Sequence, residues 1–408
     1  MKSRIVKDFL TLRLKKGAKL LLGFSGGPDS MALLHFLLEA KEDFDFSLHL
    51  AHIDHGWRKE SGEEAKALER VAKHLNLPFH LCRLQKMEGG DLENRAREKR
   101  LAFFSELQEK YGFQALLLAH HQGDQAETVF KRIAEGSGIK GLGGLYPERK
   151  QGNLLIWRPL LPLLKEDLYH YLKTKHLTFF EDSTNQDPTY LRSRMREELF
   201  PALEKIFGKK MEGNFARLGK TYQELANYFE EKGEAIKKSI TSGPFGSYLD
   251  LNLEFHPLEL KFFLKEMSSI SYDALEVLMK LIEGRRSSRL IHAKPYTFQL
   301  SQSHLFIYKE PFPDYFRKPE IWKSEKNGNW KTFWNGKIQV PKGDYEIKRL
   351  SELEPLIRRK IKKWYGSSRV PSFFYDKAPI FMRNQEIIGE CLTGRSLLLE
   401  GYDGLFRN

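Results

Sequence analysis

The sequence predicts an α/β protein whose first half is a mostly parallel sheet, followed by a helical domain and a small α+β domain. Three observations predict this fold class. Short apolar runs alternate with longer helical segments over residues 1–185, amphipathic helical spacing continues to about Lys238, and aromatic, Pro- and Gly-rich sequence begins near Pro311. At 408 residues the chain is too long for one typical domain, so we expect domains over 1–205, 206–315 and 320–408.

The first half repeats a buried strand followed by a helix. The apolar runs with the length of buried strands are Leu20–Phe24, Phe46–His52, Phe79–Leu84, Ala115–His120 and a fifth near Leu155–Arg158. The helices that follow are expected over about 28–40, 61–75, 92–111 and 124–135. Strands separated by helices pair in parallel, which leaves the carboxyl ends of the strands at one edge of the sheet.

Composition and charge narrow the class of protein. Apolar residues make up 41% and charged residues 30%, an ordinary globular balance, and no apolar run approaches the ~20 residues that span a bilayer. The N-terminal sequence lacks a secretory signal pattern, so we expect a cytoplasmic protein without a membrane span. Because Cys82 and Cys391 are its two cysteines, no disulfide framework or cysteine-based zinc cluster is expected. The net charge of +13, of which +9 lies in residues 201–408, favours a polyanionic partner.

The segment after the first predicted strand has the composition of an anion-binding loop. It consists of Ser25, Gly26, Gly27, Pro28, Asp29 and Ser30 and leads directly into an amphipathic helix. The glycines let backbone N–H groups approach an anion, the serines add hydroxyl donors, and the helix N-terminus adds partial positive charge. The alternative is a Gly-Gly turn with an ordinary helix cap. It is not a Walker A loop, since no Gly-Lys-Ser/Thr follows.

Polar residues also follow the second and fourth strands, at the edge where ligands bind in open α/β sheets. They are His52, Asp54, His55, Arg58, His120, Asp124 and Glu127. Asp124 and Glu127 are three residues apart on one helix face and can present two carboxylates together. An ordinary capping role is the alternative for Asp124, and a polar turn is the alternative for the second strand end.

Three basic segments suit binding of phosphate or carboxylate. Arg97 and Arg100 lie in a predicted helix, and Arg192, Arg194 and Arg196 begin another. Arginine can bind either group through two parallel hydrogen bonds. Near the C-terminus the basic residues beside Trp364 suit contact with a nucleic acid backbone; they are Arg358, Arg359, Lys360, Lys362 and Lys363. The alternative for each segment is a solvated helix face.

These strings are similar to motifs of a known family. SGGPDS resembles the PP-loop of the N-type ATP pyrophosphatases, which hold the pyrophosphate of ATP while its α-phosphate is attacked. The strings HIDHGWR, AREKR, HHQGDQAET, GSGIKGLGGL, RPLL, EDSTN and RSRMR resemble motifs of the tRNA(Ile)-lysidine synthetases. The resemblance is dense over residues 20–200 and loose over 320–408. Gly123, Thr184 and Ser193 differ from the motifs, and Gly123 replaces the first of two aspartates.

The resemblance implies a ligase that uses ATP and Mg²⁺ to join free L-lysine to the wobble cytidine of a tRNA(Ile) with a CAU anticodon. The cytosine carbonyl oxygen would attack the α-phosphate, and the lysine amine would then attack carbon 2 and expel AMP. The helical domain over 206–315 would bind tRNA. The sequence is compatible with a homodimer and does not determine the oligomeric state.

The resemblance also implies roles for individual residues. ATP would contact the residues of the loop and of the second strand end, Ser25, Gly26, Gly27, Pro28, Asp29, Ser30, His52, Asp54 and His55. Substrate or phosphate would contact Arg58, Arg100, His120, Arg192 and Arg194. Asp124, Glu127 and Arg97 would be catalytic, and Asp29 and Asp124 would face the Mg²⁺. Which carboxylate accepts a proton, binds the metal or binds the lysine ammonium stays open.

Two kinds of rival remain at this point. A tRNA 2-thiolating enzyme begins with the same adenylation but needs sulfur-carrying cysteines, and an ammonia-fed amide ligase needs a glutaminase nucleophile; the chain has neither pattern. A catalytically silent ATP- or tRNA-binding module is favoured only by Gly123.

Overall fold

The computed structural model of the chain describes residues 2–54, 61–84, 92–180, 191–243, 246–284, 290–301, 303–309, 345–390 and 392. These residues belong to two compact units, Met1–Ala226 and Asn227–Asn408. Two of the predicted site residues, His55 and Arg58, and the motif residue Thr184 lie outside the described residues. Within the described ranges, no helix is long and apolar enough to cross a membrane.

The first unit is built on a six-stranded sheet. Its strands are β1 (Ala18–Gly23), β2 (Phe46–Asp54), β3 (Phe79–Arg83), β4 (Ala115–Leu117), β5 (Glu148–Gln151) and β6 (Leu154–Trp157). The order is β3-β2-β1-β4-β6-β5, and every neighbouring pair is parallel except β5 with β6. The parallel α/β fold class is therefore confirmed, and the antiparallel edge strand β5 is an addition to the prediction.

Helices cover both faces of this sheet. Those that pack into the larger core are α1 (Lys2–Thr11), α2 (Pro28–Ala40), α3 (Ser61–His74) and α7 (Lys165–Thr174), and α4 (Leu92–Tyr111) covers the opposite face. Within β1, Leu20 and Leu22 face the larger core and Leu21 faces α4. Burial on both faces explains why this strand is a continuous apolar run.

A second group of helices follows the sheet. They are α5 (Gln122–Ala134), α6 (Ile139–Leu142), α8 (Leu191–Arg194), α9 (Phe200–Phe207) and α10 (Glu212–Lys238), with one π-helical turn over Met195–Leu199 joining α8 to α9. The rings of Phe130, Phe200 and Phe215 pack edge to face, with centroids 5.4 to 6.0 Å apart. This aromatic cluster fixes the π turn beside α5, because it joins α5, α9 and α10.

The strand order creates a crevice at the carboxyl edge of the sheet. From β1 the chain moves outward through β2 to β3, and then returns to place β4 on the other side of β1. The connections after β1 and β4 therefore leave the sheet in opposite directions. A ligand site is expected at this switch point in open α/β sheets.

The second unit contains two antiparallel sheets. The larger has the order β7-β8-β11-β10-β9 and consists of β7 (Ile240–Gly243), β8 (Gly246–Asp250), β9 (Leu290–Ala293), β10 (Tyr296–Ser301) and β11 (His304–Tyr308). The smaller consists of β12 (Glu346–Lys348), β13 (Ile380–Arg383) and β14 (Glu386–Glu390). Three helices accompany them, α11 (Pro257–Met267), α12 (Tyr272–Glu283) and α13 (Pro355–Ser367).

The central strand of the larger sheet, β11, is buried on both faces. Leu305 and Ile307 of β11 pack with α11 and α12, whereas Phe306 and Tyr308 pack with the core of the C-terminal α+β segment. Such a strand shows no alternation of apolar and polar residues, which is why the sequence pattern did not predict it. Residues 206–315, expected to be mainly helical, thus also contain five strands. The boundaries at 205 and 315 stay predictions.

Candidate active site

The predicted anion-binding loop leaves β1 at the switch point and enters α2. Gly26 has a φ of +81°, and a Cβ there would lie 2.5 Å from Leu68 Cδ2, so the position requires glycine. Ser25 Oγ and Ser30 Oγ are 3.1 Å apart, and Ser30 Oγ donates to the carbonyl of Gly27 at 3.0 Å. Gly27 begins α2 without a side-chain cap. The positive end of the helix dipole is thereby left to attract an anion.

His52 supports this loop from the end of β2. Its Nδ1 donates to the carbonyl of Phe24 at 2.9 Å, so the neutral ring has an acceptor nitrogen at Nε2. Burial lowers the pKa of His52, which favours the neutral form. Asp54, at the last position of β2, is buried. His52 and Asp54 thus lie one strand away from the loop, as the sequence predicted.

The fourth strand leads into a capped helix. His121 is the N-cap of α5, and its Nδ1 accepts from the backbone N–H of Gly123 at 3.0 Å. In return, Asp124 Oδ2 accepts from the backbone N–H of His121 at 3.0 Å. The capping interpretation of Asp124 is therefore correct as far as local structure goes, although the same side chain has further contacts.

Asp124 and Glu127 share one cation, Arg196. Its Nη2 donates to Asp124 Oδ1 and to Glu127 Oε2, each at 3.1 Å, and its Nε donates to Glu127 Oε1. Arg196 lies in the π turn, which turns its side chain toward α5. The two carboxylates are nearly inaccessible, with 11% and 4% of their side-chain surfaces exposed. A guanidinium held by both carboxylates offsets the cost of burying two like charges.

The two carboxyl groups differ in acidity. Burial acts to raise the pKa of Asp124, but His121, His120, the backbone N–H and Arg196 outweigh it and lower the pKa. Burial raises the pKa of Glu127, and Arg196 only partly opposes this. Glu127 is therefore the stronger base of the pair.

Asp29 brings a third carboxyl group to the same place. Its Oδ2 lies 3.8 Å from His121 Nε2, and Asp124 Oδ2 lies 3.7 Å from the same nitrogen. Burial raises the pKa of Asp29, and the nearby Asp124 raises it further, whereas His121, Lys165 and Arg196 lower it. Oδ1 of Asp29 is buried and has no hydrogen-bond partner among the described residues. A buried carboxylate oxygen without a hydrogen-bond partner is a suitable ligand atom for a cation.

His120 and Arg158 form a second polar pair. Arg158 Nε donates to His120 Nδ1 at 3.1 Å, and Nη1 donates to the carbonyl of Tyr146 at 2.8 Å. Because arginine only donates, His120 Nδ1 must accept, and the neutral ring carries its proton on Nε2. Burial first, and then the charges of Arg158, Arg192 and Arg100, lower the pKa of His120 to about 3. His120 is thus a fixed hydrogen-bond donor near neutral pH.

Three of the four predicted arginines act on this pair through their charge. Arg97, Arg100, Arg192 and Arg194 are all exposed. Arg100 and Arg192 act on His120 electrostatically, and burial together with Arg149 and Arg97 lowers the pKa of Arg158 to about 10. Arg97 is therefore near the pair but does not reach the Asp124 and Glu127 carboxylates in any described contact. The positive field at this edge comes from three separate chain segments.

Three residues of this constellation were not among the predicted site residues: His121, Arg158 and Arg196. Each belongs to a string that the sequence already marked, HHQGDQAET, RPLL or RSRMR. The signal was therefore present, but the pairing across 69 residues between Arg196 and Glu127 is not readable from local spacing.

The carboxylates of Asp29 and Asp124 are ligands of the type that a hard divalent cation prefers. The described residues contain no group of three or more His, Cys, Asp or Glu side chains arranged to hold a metal ion. Mg²⁺ is commonly held by one or two carboxylates together with substrate phosphates and water. Asp29 belongs to the phosphate loop, and Asp29 and Asp124 both lie within 4 Å of His121 Nε2.

One comparison with known proteins covers the N-terminal half of the chain, and another covers nearly all of it. A family model described as a PP-loop domain matches residues 1–203. The tRNA(Ile)-lysidine synthase of Protochlamydia amoebophila (strain UWE25) is 32% identical over 97% of this chain and 94% of its own length. The chain belongs to the tRNA(Ile)-lysidine synthase family. The resemblance stated from the motifs is thereby confirmed, and the first unit is an ATP-binding PP-loop domain.

A second relative of this family matches a little over half of this chain. The tRNA(Ile)-lysidine synthase of Chlamydia pneumoniae is 39% identical over 57% of this chain and 72% of its own length. Among solved structures, the U34-tRNA thiolase NcsA from Methanococcus maripaludis with its 4Fe-4S cluster aligns with 55% of this chain and 76% of that chain, at 16% identity and a TM-score of 0.46. That likeness is too low to support a conclusion about this chain.

Proposed function

We propose that this chain joins L-lysine to carbon 2 of the wobble cytidine in the CAU anticodon of tRNA(Ile), using ATP and releasing AMP and pyrophosphate. The observation that carries the proposal is the match to a lysidine synthase over 97% of the chain. The phosphate loop at the switch point of the sheet supports it, because adenylation requires a site for the departing pyrophosphate. The product carries a new carbon–nitrogen bond, so the enzyme is a ligase that converts a Met anticodon into an Ile anticodon.

In the first step the cytosine carbonyl oxygen attacks the α-phosphate of ATP, and pyrophosphate leaves. The backbone N–H groups and hydroxyls of Ser25–Ser30 bind the pyrophosphate, and His52 and Asp54 contact the nucleotide from β2. Asp29 and Asp124 are the residues that would hold Mg²⁺, which when bound would offset the charge of the triphosphate.

In the second step the lysine side-chain amine attacks carbon 2, the carbon–oxygen bond to AMP breaks, and one proton must leave the nitrogen. A free lysine amine has a pKa near ~10.4, so a base or desolvation has to assist it. We assign proton acceptance to Glu127, because its pKa is raised whereas that of Asp124 is lowered. Asp124 then serves the metal side, and Arg196 keeps both carboxylates in position.

The arginines at the crevice suit the RNA. Arg97, Arg100, Arg192 and Arg194 are exposed and can reach phosphates of the anticodon loop, and His120 offers its Nε2–H to an acceptor such as a base carbonyl or phosphate oxygen. Arg58 belongs to the same predicted set, whereas His55 belongs to the predicted ATP contacts. The exposed basic residues of α13 and the segment over 206–315 are proposed tRNA-binding elements. ATP and tRNA are cytoplasmic substrates, so a cytoplasmic location stays our expectation. The sequence is compatible with a homodimer, which sedimentation would test.

The test is incubation of the purified protein with ATP, Mg²⁺, labelled lysine and a tRNA(Ile) transcript with a CAU anticodon. We expect label in the RNA, and none when the wobble cytidine is replaced by uridine. ATP–pyrophosphate exchange that depends on the transcript would confirm adenylation separately. Intact binding of ATP and tRNA without exchange or incorporation would contradict the proposal and leave a silent binding module.

A further inference from the structure

The ring of His121 lies between two carboxylates of the proposed site. Gly123 N–H donates to Nδ1 at 3.0 Å, so the neutral ring carries its proton on Nε2. Nε2 faces Asp29 Oδ2 at 3.8 Å and Asp124 Oδ2 at 3.7 Å. These distances exceed a hydrogen bond, but both carboxylate oxygens are close enough to the Nε2–H group to be attracted to it electrostatically. Only 6% of the His121 side chain is exposed, so water screens this arrangement weakly.

The ring position depends on Gly123. A Cβ built at residue 123 would lie 2.8 Å from His121 Cε1 and 3.2 Å from Nδ1, which is closer than side-chain carbons approach a neighbour. The ring is buried and bound at Nδ1, so a side chain at 123 would displace it from the carboxylates. The close contact with the His121 ring therefore gives a steric reason for glycine at position 123, in addition to any preference of the backbone conformation.

We propose that His121 is a positioning residue of the adenylation site, orienting the Asp29 and Asp124 carboxylates through its Nε2–H, and that Gly123 makes this ring orientation possible. The inference rests on the proposed function for the identity of the reaction. The glycine that replaces the first aspartate of the motif then has a structural role, because it leaves room for the His121 ring. Restoring aspartate at this position impairs the site.

Helix capping is the competing role for His121, and two variants separate the roles. In His121→Asn the amide oxygen takes the place of Nδ1, and asparagine is a strong N-cap, so α5 stays capped while the Nε2–H is lost. In His121→Gln the longer amide offers an N–H near the place of Nε2 but caps poorly. His256 caps α11 in the same manner, with Nδ1 accepting from Leu258 N–H at 3.3 Å, so His256→Asn is the matched control.

A matched pair of glycines tests the steric step. Gly123 and Gly213 are each the second residue of a helix, α5 and α10 respectively, but a Cβ at Gly213 meets nothing within 4 Å. Alanine favours a helix over glycine, so neither Gly123→Ala nor Gly213→Ala is expected to lower the thermal midpoint through helix propensity. A loss of ATP affinity in Gly123→Ala but not in Gly213→Ala would indicate that the His121 ring had been displaced.

The experiment measures ATP affinity by calorimetry at several Mg²⁺ concentrations, thermal unfolding, and lysine incorporation for each variant of the full chain. We expect His121→Asn and Gly123→Asp to weaken Mg²⁺-dependent ATP binding and slow incorporation by about 10- to 100-fold, as loss of a group that orients metal-site residues does, with unfolding near wild type for His121→Asn. His121→Gln should recover part of the ATP affinity despite a lower thermal midpoint. Gly213→Ala and His256→Asn should bind ATP with the wild-type affinity.

Two results would overturn the inference. Wild-type ATP affinity and incorporation in His121→Asn would mean that His121 only caps α5. Identical behaviour of Gly123→Ala and Gly213→Ala would mean that the ring orientation does not matter. If the wild-type protein bound ATP but incorporated no lysine, the proposed function would fail, while the ATP measurements would still decide the role of His121.

Discussion

Arg196 and its two carboxylates form the charge centre on which the site is built. Arg196 Nη2 contacts Asp124 and Glu127 at 3.1 Å, and both carboxylates lie inside the protein. Removal of one partner from a buried charge cluster is costly because the remaining charges are left without compensation.

Replacement of Arg196 by methionine should therefore destabilise the protein strongly. We expect a loss of about 3–5 kcal/mol in the free energy of unfolding, because Asp124 and Glu127 would face each other without a cation. Arg194→Met is the control, since Arg194 is exposed on the preceding turn and should change stability by less than about 0.5 kcal/mol. Urea titrations of both variants measure the difference, and equal losses would contradict the charge-compensation role.

His120 predicts a specific pH dependence of stability. Its pKa is about 3 in the folded protein against an ordinary 6.5, so the unfolded chain binds more protons between these values. The stability that His120 contributes is complete above pH 6.5 and is lost as the pH falls toward 3, at up to about 1.4 kcal/mol per pH unit.

The His120→Asn variant tests this dependence. Its amide oxygen can still accept from Arg158 Nε, but the side chain does not titrate. Urea titrations of both proteins between pH 7 and pH 4 should show the wild type losing stability faster than the variant. Parallel curves for the two proteins would show that His120 is not held neutral by its surroundings.

At the scale of elements, α5 organises the site and also fixes a glycine-rich connection. Gln125 Nε2 donates to the carbonyl of Gly143 at 2.9 Å, and Gln125 Oε1 accepts from Leu145 N–H at 2.6 Å. Gln223 of α10 donates to the carbonyls of Gly143 and Leu145 at 2.6 and 2.9 Å. The connection between α6 and β5 is thus held by two glutamines, one of which, Gln125, directly follows Asp124 in the sequence.

A pair of glycines tests how tightly this connection packs. Gly144 has a φ of +66°, and a Cβ there would lie 2.7 Å from Gln125 Oε1, whereas Gly152 has a φ of +60° with nothing within 4 Å. Both alanine variants bear a cost of about 1–2 kcal/mol for the left-handed conformation. Gly144→Ala should lose at least ~1 kcal/mol more in urea unfolding, because it displaces a buried amide from its partners. Equal losses would mean that the connection accommodates a side chain at position 144 with no additional loss of stability.

At the scale of the whole molecule, the net charge of +13 favours a polyanion, but individual basic residues differ in what they do. Arg358, one of the predicted tRNA contacts, donates to the carbonyls of Ser351 and Leu353 and therefore holds its own segment together. Lys362 and Lys363 are exposed on α13. Basic residues on one helix thus have different roles: Arg358 stabilises its own segment, whereas Lys362 and Lys363 belong to a proposed tRNA interface.

The Lys362→Ala, Lys363→Ala double variant should weaken tRNA binding in a salt-dependent way. If both lysines contact phosphates, the slope of log affinity against log salt should fall by about two, because each contact releases about one counterion. Lys7→Ala is the control, since Lys7 pairs with Asp43 at 2.5 Å. Filter binding at several salt concentrations measures the slopes, and an unchanged slope would exclude this face of α13 from the interface.

Much of the catalytic unit is determined by local sequence. All five predicted apolar runs became strands, namely β1, β2, β3, β4 and β6, and the helices expected over 28–40 and 92–111 have those bounds. Periodicity and the glycine-containing loop act through neighbouring residues, so they can be read directly. The sequence by itself also determined the family, because the motifs that carry it are contiguous strings.

What only the tertiary structure decided are contacts between distant segments. The pairing of Arg196 with Asp124 and Glu127, the neutral tautomer of His120 and the position of Asp29 beside His121 each depend on strand order and on the π turn. The central strand β11 of the five-stranded sheet, buried on both faces, likewise shows no alternation of apolar and polar residues. The physical reason is that local hydrogen bonding and periodicity fix the elements, whereas burial and charge compensation act between residues far apart in the chain.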